Sequence, residues 1–400
     1  MIEWRDNLRE YKLSVIVPTF NLENEIDKTF ESIKSQTIDF ENIEVIFVDD
    51  NSTDNTLIIL NNYADKFDNV KVISTDENSG YGGKPRNIGL KHSTADYVLF
   101  LDGDDQLLVN ACEILFNKIQ YSNADIVIGG QINVFDNGVM EHNPPILSDK
   151  EENFFKNVIN HKLLSMRPAI SAKLFKKSLL ESNHIEFPEG IPGEDLIFLI
   201  EAILNSDGII TLTNDYIYYR NLYGSSTTLN LSEKYFYDLI DAYLQTSALL
   251  EKYNVPNNIQ EVIFHSHLNF LGERAIYVKF FRETDDIDLE KIFNSKKFDE
   301  LSKKDVFKSN KNFSWYFKNM KNGEYNNRVL LKTIYYDFNF DSQIINDLED
   351  VKDEISRLNI MPNKIIEDNK YLKKVNRKLN EELNDIKSSK SWKIKNKLNF

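Results

Sequence analysis

The first 130 residues alternate between two hydrophobic periods. Leu13–Val17 is a short β-branched run closed by Pro18, and Asn21 stands where it can cap a helix whose apolar positions Ile26, Phe30 and Ile33 recur at helical spacing. Val45–Val48 is a second run, ending in Asp49 and Asp50. Ser52 or Thr53 can cap the helix after it, with Leu57, Leu60, Ala64 and Phe67 along one side. Val70–Ile73 reads as a third strand, and Pro85 suits the first turn of a short helix running through Leu90. Tyr97–Leu101 and Ala124–Ile128 read as the fourth and fifth strands. This alternation predicts an α/β fold, a mostly parallel sheet with helices on both faces. Ligands of such sheets sit beyond the carboxyl ends of the strands, which directs attention to Pro18–Asn21, Asp49–Ser52 and Asp102–Asp105.

Residues 131–230 are less regular, with loop signals at Asn143-Pro144-Pro145 and Pro188–Gly193, a helix from Leu196 to about Leu204 and a strand-like Tyr216–Arg220. They read as the second half of one domain covering 1–230. Glu233 to about Phe281 is helical and rich in aromatics, and residues 282–340 are charged and weakly patterned, so 231–340 is expected to be a helical accessory region. In the last stretch, 341–400, Ile344, Leu348, Val351, Ile355 and Leu358 alternate spacings of four and three. After Pro362 the pattern resumes at Ile365, Asn369, Leu372, Asn376, Leu379, Leu383 and Ile386. Two readings stand: an amphipathic helix folded on its own domain, or a coiled coil through which two copies associate. From Lys387 to Phe400, lysines interleave with Trp392, Ile394, Leu398 and Phe400, a composition that suits either a solvated end or peripheral contact with an anionic membrane.

Composition narrows the class. A hydrophobic fraction of 41% supports a sizeable core, and a net charge of −15 argues against nucleic acid as a partner. Cys112 is the single cysteine, so no internal disulfide forms and a reducing compartment fits. The start carries Glu3, Arg5 and Asp6 without a signal-peptide core, and no apolar run approaches the ~20 residues of a membrane span. A cytoplasmic protein is expected, peripheral to the inner face of a membrane if the tail binds there.

Four clusters carry the chemistry. Asp102-Gly103-Asp104-Asp105 follows the fourth strand directly. Its carboxylates repel one another unless a cation sits among them, and Mg²⁺ or Mn²⁺ takes oxygen ligands and commonly shares its shell with phosphate oxygens. The plainer reading is an acidic turn in which Gly103 adopts a positive φ. In Val48-Asp49-Asp50-Asn51-Ser52-Thr53-Asp54, the two carboxylates before the cap can accept the imide N–H of a uracil or thymine base. In Asn78-Ser79-Gly80-Tyr81-Gly82-Gly83-Lys84-Pro85-Arg86-Asn87, glycines permit close approach of a ligand, and Lys84, Arg86 and the helix start suit a diphosphate. A flexible capped loop is the alternative, and the spacing is not that of a Walker A loop. Glu194-Asp195 opens an apolar helix, where acids complement the dipole; a carboxylate there can also take the proton of an attacking hydroxyl.

Taken in order, Lys12–Asn21 (KLSVIVPTFN), Val48–Asp54 (VDDNSTD), Asn87–Gly89 with the preceding Gly83-Lys84-Pro85-Arg86, Leu101–Asp105 (LDGDD) and Glu194-Asp195 resemble glycosyltransferase family 2 with the GT-A fold. The Gly82–Asn87 stretch is similar to that of bacterial wall teichoic acid and surface-polysaccharide glycosyltransferases. The resemblance covers about residues 12–230 and implies an inverting, metal-dependent transfer from a nucleotide diphosphate sugar, with UDP expected. The acceptor it implies is a hydroxyl of a cell-surface glycan, a polyol-phosphate polymer or a lipid-linked precursor. By position, it implies that Pro18, Thr19 and Asn21 border the nucleotide and that Asp49 or Asp50 binds the base. Lys84 and Arg86 neighbour the donor sugar or diphosphate, Asp102 contacts ribose or sugar, and Asp104 holds the metal. Asp195 is then the base and Glu194 orients donor or acceptor, while Arg220 and Ser225–Thr227 fall where family members close a loop over the diphosphate.

Two rival readings differ in testable ways. A nucleotidyltransferase acting on sugar phosphates would want a Gly-rich turn where Pro18-Thr19-Phe20-Asn21 stands. A noncatalytic scaffold built on the C-terminal helices would have no use for Asp102, Asp104 and Asp195 together.

Overall fold

The computed structural model describes residues 10–304, apart from 136–137, 139, 147, 167, 223–230, 265–270 and 272–286. The heptad positions from Ile344 to Ile386, the tail from Lys387 and Ser225–Thr227 lie outside the described residues. Four strands open the chain: β1 (Leu13–Thr19), β2 (Ile43–Asp49), β3 (Val70–Ser74) and β4 (Tyr97–Phe100). They are linked by α1 (Ile26–Lys34), α2 (Thr56–Ala64) and α3 (Gly83–His92). These strands pair in parallel in the order β3-β2-β1-β4. Sequence order runs outward in opposite directions from β1, so the carboxyl ends of β1 and β4 border the switch point where α/β sheets bind ligands.

The chain continues through β5 (Gln106–Leu107), α4 (Ala111–Gln120), β6 (Ile126–Phe135), β7 (Met140–Asn143), β8 (Glu152–Phe155) and α5 (His161–Leu164). Then come β9 (Lys173–Lys176), α6 (Lys177–Ser182), α7 (Glu194–Asn205), β10 (Ile209–Leu222) and α8 (Glu233–Lys252). Two short helices, Leu289–Phe293 and Lys296–Ser302, pack on α8, which itself packs on α7. The sheet extends beyond β4 as β9-β6-β10-β5, with β7 on β6 and β8 on β10. Here it becomes mixed: β9 runs antiparallel to both β4 and β6, while β10 is parallel to β6. The segment that reads as irregular therefore supplies two strands to the middle of the sheet. β9 is only four residues long, and β10 shifts register on β6 between Thr211 and Tyr216, so neither displays a long alternating pattern.

The period of two along β1 sorts its residues onto two covered faces. Leu13, Val15 and Val17 join Ile26, Phe30, Ile33, Leu60 and Leu115 in one core, with Phe30 stacked on Tyr63 at 3.9 Å. Ile16, on the opposite face, meets α3 at Gly89. Among the described residues no helix is long and apolar enough to cross a membrane.

Two expected caps are not made. Glu25 precedes α1 and Asn55 precedes α2, and neither side chain bonds a helix N–H. Asn21 instead sits at φ 52° and accepts the Thr53 N–H at 2.7 Å, while its own N–H reaches Ser52 Oγ at 2.9 Å. Asn21 and Ser52 lace together the loops after β1 and β2, while Asp54 accepts the Thr56 N–H at the start of α2 at 2.9 Å.

A Cβ at Gly89 would stand 2.3 Å from Ile16 Cγ2, a stiff β-branched methyl on the central strand. Gly89→Ala is expected to lower unfolding stability by about 1–3 kcal/mol through overpacking, although alanine is the better helix former. Urea denaturation of the two proteins checks this.

Candidate active site

The site is organised by α3 and the strand ends around it. Arg86, on the first turns of α3, is 5% exposed. Its Nη2 donates to Asp102 Oδ1 at 2.7 Å, and its Nη1 donates to Glu194 Oε1 at 3.0 Å and Asp195 Oδ1 at 3.1 Å. Asp102 comes from the end of β4, and Glu194 and Asp195 from the first turn of α7. Carboxylates far apart in sequence thus converge on a guanidinium. The same interaction explains Gly82: a Cβ there would lie 2.4 Å from Arg86 Nη1. At Gly83 a Cβ would lie 2.3 Å from the Pro188 carbonyl. Both glycines admit protein neighbours, and that close approach is the geometric reason for the Gly-Gly pair.

The loop leading to α7 is held against α3 by Asn87. Its side chain donates to Phe187 O at 2.9 Å and accepts from Phe187 N at 2.8 Å, as a strand neighbour would. Phe187 stacks on Phe198 of α7 at 3.8 Å, and the Arg86 guanidinium lies over the Phe187 ring at 5.5 Å. Gly193 at φ +81° then turns the chain into α7.

The turn after β4 is fixed from two sides. Thr29 of α1 donates to the carbonyls of Gly103 and Asp105, both at 2.8 Å. Asp105 accepts from Tyr218 Oη at 2.8 Å and from Asn221 N at 2.7 Å, and the Tyr218 hydroxyl in turn accepts the Asp102 N–H at 3.3 Å. Asp105 is therefore the carboxylate that ties the turn to β10. Gly103 does not have the positive φ that an acidic turn would call for. It is required because a Cβ would meet Leu22, Pro18 O and Thr19 within 3.1 Å, which is also where Pro18 touches this turn.

Asp49 and Asp50 are both held by internal donors. Asp49 accepts the N–H and hydroxyl of Ser52, with Thr19 Oγ1 at 3.5 Å. Asp50 accepts from Thr75 Oγ1 and from the N–H and hydroxyl of Ser79, and so pins the loop before α3. Lys84 is half-buried, 3.7 Å from Glu77. Arg220, on β10 opposite Asn133 of β6, carries the positive charge that acts on Asp104.

Burial dominates the electrostatics. Although Asp104 is exposed at the surface, the protein packed around it desolvates its carboxyl and pushes it up to about 6, the Asp102 charge adding and Arg220 opposing. Glu194 is pushed up to about 7, by burial first and then by Asp195, against the pull of Arg86. Asp195 is raised as well, burial again leading, with Arg86 and Lys173 opposing. Lys173 and Tyr218 were not singled out as site residues. A lysine inside the apolar run Ile170–Phe175 is the one signal that pointed to either.

Comparison with known proteins places this geometry. The family model Glycosyl transferase family 2 matches residues 14–179, from β1 through Asp104 and β9 into α6. A glucosyltransferase of Campylobacter jejuni acting on GalNAc(5)-diNAcBac-PP-undecaprenol is 31% identical over 252 residues, 60% of this chain and 74% of that protein. The chain belongs to glycosyl transferase family 2. The poly(ribitol-phosphate) β-N-acetylglucosaminyltransferase TarP of Staphylococcus aureus is 34% identical over 209 residues, 52% of this chain and 62% of TarP. The crystal structure of S. aureus TarS 1–349 with UDP-GlcNAc superposes with a TM-score of 0.56 at 26% identity, covering 70% of this chain and 77% of that one. The chain spans 62% of TarP and 32–35% of the other poly(ribitol-phosphate) transferases it matches. The GT-A-like sheet is shared with the TarS structure, and Glu194 and Asp195 lie beyond residues 14–179, which the family model matches.

Because Glu194 holds its proton more tightly when folded, stability should fall as pH rises from its ordinary value of 4.5 to about 7, where the folded group ionises. Glu194→Gln mimics the protonated form. The melting temperature of the Gln variant relative to wild type is expected to increase between pH 5 and pH 8. A constant difference would contradict this assignment.

Proposed function

We propose that this chain is an inverting glycosyltransferase that moves a sugar from a UDP-sugar to a hydroxyl of a polyol-phosphate polymer of the cell surface. The observation that carries the reading is the convergence of Asp102, Glu194 and Asp195 on buried Arg86, at the carboxyl edge of a family 2 sheet. TarP and TarS, which are named for poly(ribitol phosphate), and the UDP-GlcNAc in TarS support the donor and acceptor class. The donor nucleoside sits against Pro18, Thr19 and Asn21. Asp50, which already accepts from Thr75 and Ser79, receives the base as a further partner. Lys84 and Arg220 face the diphosphate.

Asp195 takes the proton of the acceptor hydroxyl as that oxygen attacks the anomeric carbon, on the face opposite the leaving UDP. Its raised carboxyl suits a base working near neutral pH. Arg86 holds Asp195 and Asp102 in one frame, and Glu194, sharing Arg86 Nη1, orients the reacting groups. Asp104 fits a divalent cation: its carboxyl is raised by desolvation and by the negative charge of Asp102, so a positive charge there is favourable. No group of three or more His, Cys, Asp or Glu among the described residues is arranged to hold an ion alone, so Mg²⁺ or Mn²⁺ would share Asp104 with the diphosphate. Such an ion, when bound, neutralises charge on the departing diphosphate. The reducing environment that suits buried, unpaired Cys112 agrees with a cytoplasmic site of transfer.

UDP release from UDP-GlcNAc and UDP-glucose, with poly(ribitol phosphate) as acceptor, tests the proposal. Asp195→Asn should lower kcat by about 10²–10⁴-fold with UDP binding retained. In a separate thermal-shift measurement, UDP should raise the melting temperature further with Mn²⁺ than without it. No turnover with either donor, together with no metal-dependent shift, would sink the reading.

A further inference from the structure

Lys173 is 4% exposed and sits at the start of β9, between β4 and β6, opposite Ile128. Its strand neighbours Leu174 and Phe175 are fully buried. An ammonium in such a place is expensive, and an apolar side chain of similar length would serve packing as well. Its Nζ donates to Ala169 O at 2.6 Å and to Ser171 O at 3.2 Å. Between those two carbonyls lies Ile170, whose N–H donates to Asp195 Oδ2 at 3.3 Å. Ala172, the residue before Lys173, is held at φ 60°, a left-handed conformation that a non-glycine residue adopts only under constraint. Residues 169–172 thus curl around the ammonium, and the outward N–H of the curl meets the carboxylate read above as the base.

We propose that Lys173 is a positioning residue for Asp195: it braces the 169–172 segment that holds one carboxylate oxygen, while Arg86 holds the other. The inference rests on the reading of Asp195 as the base. The charges facing Asp195 are Arg86 from α3, Asp102 from the end of β4, Glu194 beside it on α7 and Lys173 from β9. Lys173 therefore contributes in two ways, by geometry through Ile170 and by a positive charge that favours the ionised base. Burial draws the ammonium down to about 8, against the pull of Asp195, so it remains charged at neutral pH.

The experiment compares Lys173→Gln, which keeps amide donors for the two carbonyls, and Lys173→Met, which removes the buried charge at similar length. Each is measured as the full chain with the UDP-sugar it turns over. We expect kcat to fall about 10–100-fold with donor KM unchanged. The acid limb of the pH profile should move to higher pH, because loss of a nearby cation disfavours the carboxylate. Lys173→Arg, which retains charge and donors, should restore much of the rate. In an Asp195→Asn background the same substitutions should change the residual rate little. Wild-type kcat and an unmoved acid limb in either folded variant would overturn the inference. So would an equal loss in the Asp195→Asn background, which is what a purely structural role predicts. Full activity of Asp195→Asn alone would instead overturn the reading of the base, and that measurement is made separately.

Discussion

A guanidinium sealed from water must be surrounded by opposite charge, and the arrangement of this site follows from how Arg86 meets that requirement. Three carboxylates from two distant stretches of chain supply it. The hydrogen bonds of this one guanidinium join the end of β4, the first turns of α3 and the first turn of α7. Gly82 has no side chain because the guanidinium crosses it, and Phe187 stacks beneath the same group. Asn87, one residue on, docks the loop that delivers α7. A short segment of α3 therefore sets the register of Asp195 against Asp102 at the end of β4.

The acidic residues divide by whether the protein itself supplies their donors. Glu44, Asp49, Asp50 and Asp105 are buried and receive hydroxyl, backbone or ammonium donors from neighbouring loops and strands, which makes them fasteners. Asp102 and Asp195 share one guanidinium, and Asp104 is acted on by the positive charge of Arg220. The donors around Glu44 hold it below its usual range against burial, while Asp105 is raised well above it by burial and by the charges of Asp102 and Asp104, in spite of its donors. Desolvation and neighbouring negative charge likewise raise Asp104, Glu194 and Asp195. Chemistry requiring a cation or a proton transfer is suited to the second group.

The four parallel strands were legible because each is a compact apolar run followed by helical periodicity, and the strand-end rule located Asp102, Asp104 and the loop after β1 without any coordinates. Glu194-Asp195 was legible as a pair of acids opening a helix. The caps assigned to Asn21, Ser52 and Thr53 were not made: these residues join the loops after β1 and β2, a pairing that only the sheet brings about. β9 escaped notice for a related reason: four residues carry too little pattern, and its place is decided by pairing with β4 and β6, strands that belong to other parts of the chain.

The sequence by itself determined the α/β class, the order of the first strands and the types of group available at their ends, since these depend on short-range periodicity and on which residues follow an apolar run. Only the tertiary structure decided which charge meets which. Arg86 reads from sequence as a phosphate ligand and is found holding three carboxylates; Gly103 reads as a turn residue and is found making room for Pro18 and Leu22. Lys173 has no assigned role from sequence and is found behind Asp195. The physical reason is common to all three: desolvation and Coulomb interaction depend on distance through the folded interior, a quantity that chain separation does not encode.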